Sequence, residues 1–181
     1  MGVLVLTGPP CSGKSSAGRI LTQLHSPEPA IYVSVDALFD QLLPNSDRSP
    51  RDRLLAYDAA HALARSVFDY GRTPILECTY ARRDQRASLA NAFEDVALHL
   101  VEFVITADQA LPRFRARDQE TDLDEQSLRA KVESFPYTSD ALRLDPSTPD
   151  DHARQIQAWL EEKPPSIDRD RWVANGLGWV Q

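Results

Sequence analysis

Cysteine, methionine and glycine are scarce in this chain of 181 residues, which has two, one and seven of them. Cys11 and Cys78 lie far apart in sequence, which excludes a disulfide framework and leaves no pair spaced for zinc. Free thiols fit a reducing compartment, so the expected location is cytoplasmic. No apolar run is long enough to span a bilayer. The opening stretch from Gly2 to Leu6 is short, lacks a basic flank and runs into a glycine loop, so it reads as a strand and no membrane partner is expected. Basic side chains are also in deficit, 20 against 27 acidic ones for a net charge of −7, so no global field attracts phosphodiester backbones or anionic lipid. What is there is ordinary for a folded protein: 42% hydrophobic and 26% charged residues, far from the compositions that stay disordered.

The apolar pattern alternates strand and helix. Val3 to Thr7 is a continuous apolar strand, and Lys14 to about His25 has helical spacing through Ala17, Ile20, Leu21 and Leu24. Ile31 to Val35 is a second strand before a short helix, Arg51 to about Tyr70 a long helix closed by Gly71, and Pro74 to Cys78 a third strand. A helix from Arg82 to about Asp95 precedes a fourth strand, Leu98 to Ile105. Two helices, Asp108 to Arg117 and Asp124 to Phe135, bracket a polar stretch before a short fifth strand at Leu142 to Asp145. Pro149 to Glu162 is the last helix, with proline at its start. This alternation predicts a doubly wound α/β domain with a five-stranded parallel sheet. It spans residues 1–162, with a helical lid near 113–126 and a C-terminal strap at 163–181 that packs back on the body.

Residues 8 to 15 read GPPCSGKS, which is the Walker A pattern, and a chain this long matches it by chance only about 0.6% of the time. Gly8, Pro9, Pro10, Cys11, Ser12, Gly13, Lys14, Ser15 and Ser16 therefore form the expected phosphate cradle. Gly8 and Gly13 let the backbone curl its amides inward, and the following helix adds the positive end of its dipole. Lys14 supplies an ammonium for the phosphates, and Ser15 is the expected ligand of the Mg2+ that accompanies ATP.

Asp36 follows the second strand at the carboxyl edge of the sheet, where ligands bind in open α/β folds. The position suits either a base that takes a hydroxyl proton or an N-cap for a helix starting at Ala37. Glu77 ends the third strand and needs a neutralising partner, for which Thr79, Tyr80, Arg82, Arg83 and Arg86 are the downstream candidates. Arg113 and Arg117 share one face of the lid helix, with Arg115 pointing elsewhere; they either close over a triphosphate or face water. His61 belongs to an apolar stripe with Leu54, Tyr57, Ala64 and Phe68 and reads as packing.

The order of elements resembles the small P-loop kinases of the group containing chloramphenicol phosphotransferase, zeta-toxin kinases and polynucleotide-kinase-like ATPases. The likeness covers most of residues 1–162 and is specific at GPPCSGKS, IYVSVDALF, ILECTYARR, ALPRFRARD and LRLDPSTPDDHARQI. The resemblance implies an ATP-dependent kinase using Mg2+, with Asp36 as catalytic base and Arg113 and Arg117 as catalytic lid arginines beside Lys14. It also implies Ser147 and Thr148 near the adenine, and Glu77 as a substrate-binding acid, with Tyr80, Arg82 and Arg83 nearby. The acidic net charge favours a small hydroxylated acceptor over a nucleic-acid end. A polynucleotide or nucleoside 5′-hydroxyl kinase is the alternative, and a nucleotide-dependent switch is the rival from another class.

Overall fold

The first strand, β1 (Val3–Thr7), is buried at every residue, and its successive side chains serve opposite layers. Val3 and Val5 face one apolar cluster, and Leu4 and Leu6 face another. Such two-sided burial belongs to a central strand. β1 sits in the middle of a five-stranded sheet of order β2–β3–β1–β4–β5, where β2 is Ile31–Ser34, β3 Pro74–Glu77, β4 Leu98–Phe103 and β5 Leu142–Leu144. Every pairing is parallel. The fold is the doubly wound α/β sheet that the alternation predicts. The structure, a computed structural model, describes residues 2–24, 30–116 and 123–178.

Helices α1 (Lys14–Leu24) and α7 (Pro149–Glu161) cover the Leu4 face through Ala17, Leu21, Ala153 and Ile156. Helices α3 (Pro50–Asp69), α4 (Arg83–Ala92) and α8 (Arg169–Ala174) cover the Val5 face through Ala60, Ala64, Leu89 and Trp172. Between β2 and α3 runs α2 (Val35–Leu42). A third cluster joins α5 (Ala107–Arg115) to α6 (Glu125–Glu133): Ala110, Leu128 and Val132 pack around Cys11 of the loop after β1. No described helix is long and apolar enough to cross a membrane.

Some boundaries differ from the sequence reading for identifiable reasons. β2 ends at Ser34, whose hydroxyl accepts from Ala37 N, so α2 begins at Val35 and Asp36 stands in its first turn. Asp36 is therefore not the cap. Pro112 lies inside α5, where its missing amide removes a bond to Asp108, and the helix ends one turn later with Ala116 N on Pro112 O at 3.1 Å. Arg117 and most of the polar lid stretch lie outside the described residues.

The segment after Pro164-Pro165 folds back on the body. Ser166 Oγ accepts from Leu98 N, Ile167 N donates to Leu98 O, and Trp172 is fully buried. A Cβ at Gly176 would lie 2.7 Å from the Arg83 backbone, so only glycine permits the approach that lets Leu177 bridge to Arg82.

Candidate active site

The loop from β1 to α1 turns on Gly8 (φ +145°) and Gly13 (φ +102°), with Cys11 held at φ +65° between them. A Cβ at Gly8 would sit 2.7 Å from Phe103 O, so the sheet itself demands glycine there. The Cys11 side chain is committed to the apolar cluster with α5 and α6, which leaves the backbone of the loop to face any ligand. Lys14 Nζ donates to Pro9 O at 3.0 Å and lies 4.0 Å from Glu77 Oε1, and both side chains are nearly inaccessible. The Ser12 hydroxyl is buried and has no hydrogen-bond partner among the described residues, as suits a group that meets a phosphate oxygen. Ser15 is half-buried beside Tyr32, whereas Ser16 is exposed.

Glu77 obtains its partners from β2. In the β2–β3 register Ser34 stands opposite Glu77, and Glu77 Oε2 accepts from Tyr32 OH at 2.8 Å and Ser34 Oγ at 3.2 Å. The downstream candidates do not supply this neutralisation. Glu77 pairs with Leu6, whose side chain packs in the α1 layer, while Arg82, Arg83 and Arg86 belong to the start of α4 on the other face. Tyr32 is pushed well above its ordinary pKa by burial and by the adjacent Glu77 charge, so it remains a donor.

Asp36 lines a cavity of about 250 Å³ that opens beside Pro10 of the loop. Asp36 is exposed as a residue, yet the protein around its carboxylate costs it solvation. Loss of solvation raises its pKa, and the Glu77 charge adds to this, while Lys14 and Arg48 pull it down. Cys78 Sγ lies 3.8 Å from Asp36 Oδ1, and Tyr57 OH lies 2.8 Å from that sulfur. Burial raises both the Cys78 thiol and the Tyr57 hydroxyl, so these neighbours stay protonated beside the carboxylate.

Arg113 reaches the phosphate loop, with Nη1 donating to Cys11 O at 3.2 Å. Thr148 is the N-cap of α7 and, with Ser147, hydrogen-bonds Asp151 Oδ2 at the carboxyl edge of the sheet, so both hydroxyls already have an internal role. Arg82 lines the cavity, with Nη2 donating to Gly178 O at 3.2 Å. Arg83 turns to the tail instead, donating to Ala174 O. Tyr80 does not reach the cavity surface: its ring is fully buried against Tyr57 and Trp172, and its hydroxyl lies 3.0 Å from His61 Nε2. The strained φ of +46° at Tyr80 is held by Arg86 Nε on its carbonyl at 2.7 Å. Arg86 is buried as well and donates to Trp172 O and Pro136 O, both at 2.8 Å, so it binds the fold together and not a ligand.

The sequence reading missed five residues. Tyr32 and Ser34 become visible only once β2 is known to neighbour β3. Arg48 and Arg53 enter the cavity from the α2–α3 junction, which carried no motif. Glu102, an acid inside the apolar run of β4, was legible in kind: it is fully buried, and both carboxylate oxygens lie 3.0 Å from Thr138 N.

Residues 3–137 match a protein family described as AAA domain. A sugar kinase from a Janibacter species superposes with a TM-score of 0.68 at 16% identity over 98% of this chain and 99% of that one. An APS kinase from Mycobacterium tuberculosis, in complex with AMPPNP and APS, gives 0.72 at 19% identity over 88% and 97%. A gluconokinase from Sinorhizobium meliloti gives 0.68 at 17% identity over 90% and 93%. No curated protein sequence is similar enough to count as a match. At these identities the structural likenesses establish a shared fold.

Proposed function

The chain belongs to the AAA-domain family, and from that premise we propose that it is an ATP-dependent phosphotransferase that moves the γ-phosphoryl group to a hydroxyl of a small molecule. The observation that carries this reading is Asp36: a carboxylate with a raised pKa in a metabolite-sized cavity next to the phosphate loop. The fold likeness to enzymes described as sugar kinase, gluconokinase and APS kinase supports the same reaction class.

In this reading the loop amides and Lys14 bind the β and γ phosphates, and Lys14 shifts from Pro9 O toward them. Asp36 accepts the acceptor's hydroxyl proton as the new oxygen–phosphorus bond forms, and the β–γ bridging bond breaks to release ADP. Arg113, already on the loop, places a guanidinium where charge grows on the transferring group, and Arg117 is proposed to assist it. Glu77, fixed by Tyr32, Ser34 and Lys14, holds the floor between phosphate and acceptor. Ser147 and Thr148 are proposed to border the base. The described residues contain no cluster of three or more histidine, cysteine or acidic groups able to hold a metal, so they suit an ion that enters on the nucleotide and meets Ser15. Mg2+ bound there would neutralise phosphate charge.

A nucleotide-dependent switch has no acceptor and no need of a base at Asp36, so the two readings predict different outcomes. Asp36→Asn tests the point. Because Ser34 and not Asp36 caps α2, the variant keeps its fold, and transfer falls by about 10² to 10⁴ while nucleotide affinity barely changes. Intact transfer removes Asp36 as the base, and hydrolysis of ATP indifferent to every acceptor supports the switch.

A further inference from the structure

Glu77 and Cys78, at the end of β3, serve opposite faces of the sheet. Glu77 turns to Tyr32 in the α1 layer, so strand alternation sends Cys78 to the Val5 face, where it packs with Val35, Phe39 and Tyr57. Its backbone is pinned to the central strand, with Cys78 N donating to Leu6 O at 3.2 Å. The thiol is thereby held at a fixed place in the lining of the cavity that it shares with Asp36 and Tyr57.

The three side chains form a chain of hydrogen bonds. Cys78 Sγ donates to Asp36 Oδ1 at 3.8 Å, and Tyr57 OH lies 2.8 Å from the same sulfur. An ionised carboxylate can only accept, so the S–H proton belongs on the Asp36 side and Tyr57 O–H donates to sulfur. Tyr57 and Cys78 are only 5% and 3% exposed, so water does not compete for either donor. The Tyr57 ring is fixed in turn by an edge contact with Tyr80 at 5.3 Å. Asp36 itself stands in the first turn of α2, where an aspartate readily folds back on backbone amides, but Ser34 Oγ already takes Ala37 N. The carboxylate is released toward the cavity, and the thiol meets one of its oxygens. A thiol is a weak donor. A hydroxyl in the same place would hold the charged form more firmly and leave a poorer base.

We propose that Cys78 is the positioning residue of the base: its S–H, oriented by Tyr57, holds Asp36 Oδ1 and presents Oδ2 to the acceptor hydroxyl. The inference rests on the phosphotransferase reading for the role of Asp36. During transfer the hydroxyl proton passes to Oδ2, and the S–H bond stays whole. The other charges acting on Asp36 are Glu77 from β3, Lys14 from α1, Arg48 from the α2–α3 junction and Asp40 from its own helix. Arg53, Arg82 and Lys131 share the cavity lining. None of these is altered in the variants that follow, so a change in Asp36 reports on the thiol.

The first arm of the test needs no acceptor. In the full chain with isotope-labelled aspartate carboxyls, NMR titration follows Asp36, identified as the signal that Asp36→Asn deletes. Cys78→Ser should move its titration to lower pH and Cys78→Ala to higher pH, each by about half a unit or more. Tyr57→Phe keeps the ring and should move it upward by less than Cys78→Ala does. The infrared S–H band that Cys78→Ser removes should shift as pH passes through the Asp36 titration and stay put in Asp36→Asn. The second arm measures transfer from ATP to glycerol, glucose, gluconate and adenosine. With whichever accepts, Cys78→Ala should lower kcat about 10-fold at unchanged KM for ATP, and Cys78→Ser should recover part of the loss. Serine and alanine moving the titration the same way, neither moving it, or a band indifferent to pH overturns the proposal. Those results with transfer intact spare the kinase reading; the expected titrations with ATP hydrolysis indifferent to every acceptor leave the contact standing and remove that reading.

Discussion

Asp36 is surrounded by charges of both signs, and its chemistry follows from their balance. Burial against the cleft wall raises its pKa first and Glu77 second; Lys14 and Arg48 lower it, and Asp40 raises it slightly. A base works only when ionised, so turnover should fall as pH drops through this raised value, above the ordinary carboxylate range. Arg48 also neutralises Asp40 through a 2.7 Å ion pair. Arg48→Gln therefore removes a nearby positive charge and exposes a negative one, and both changes favour protonated Asp36. The acid limb of kcat/KM should move to higher pH in this variant, with the shift reduced by added salt. A pH profile whose acid limb stays put, or moves down, would show that Asp36 is not the group being titrated.

Among the elements, α8 has the most to do for its size. Its six residues carry Trp172 into the core, where the indole lies 5.1 Å from the Arg86 guanidinium while Arg86 ties its carbonyl to Tyr80 and Pro136. Trp172→Ala should cost roughly 3–5 kcal/mol by cavity formation, read from urea unfolding. Because α8 leads directly to Leu177 in the cavity wall, the same variant should raise the KM of the acceptor more than that of ATP. A loss of stability alone would make the tail a brace without a part in recognition. This element also shows where reading the sequence stops. The β1–loop–α1 unit was legible because its signal is local: an apolar run, fixed glycines, a lysine and helical spacing. The partners of Glu77 were not, since they depend on β2 lying beside β3, and Trp172 sits in a polar stretch whose contacts are some 86 positions away at Arg86. Arg86 reads as a candidate partner of Glu77 for the same reason: nothing local distinguishes an arginine that binds three carbonyls from one that meets a carboxylate.

At the scale of the whole molecule, a buried polar network crosses the Val5 face and makes stability depend on pH. Arg86 links α4 to Trp172 and to Pro136, and two residues on Thr138 donates its amide to Glu102 of β4, which Arg143 approaches at 3.5 Å. Burial pushes Glu102 from 4.5 up to about 7, although Thr138, Arg143 and Arg86 all favour its charge. The native state thus holds this proton more tightly than the unfolded chain does. Its stabilising contribution is full below pH 4.5 and is lost as pH climbs through 7. His61 runs the other way: burial lowers it to about 4 from 6.5, so its contribution is present above pH 6.5 and lost as pH falls through 4. The two slopes oppose each other between pH 4.5 and 6.5, which hides both in the wild-type curve. Glu102→Gln separates them, because glutamine keeps an acceptor for Thr138 N and cannot ionise. Relative to wild type the variant should gain stability steadily as pH rises from 4.5 to about 7, by roughly 2–4 kcal/mol in all, and then level off. Urea unfolding of both proteins from pH 4 to 8 measures the difference directly. A difference that stays flat with pH would mean that Glu102 is already ionised in the native state throughout, with Arg143 and Arg86 offsetting its burial.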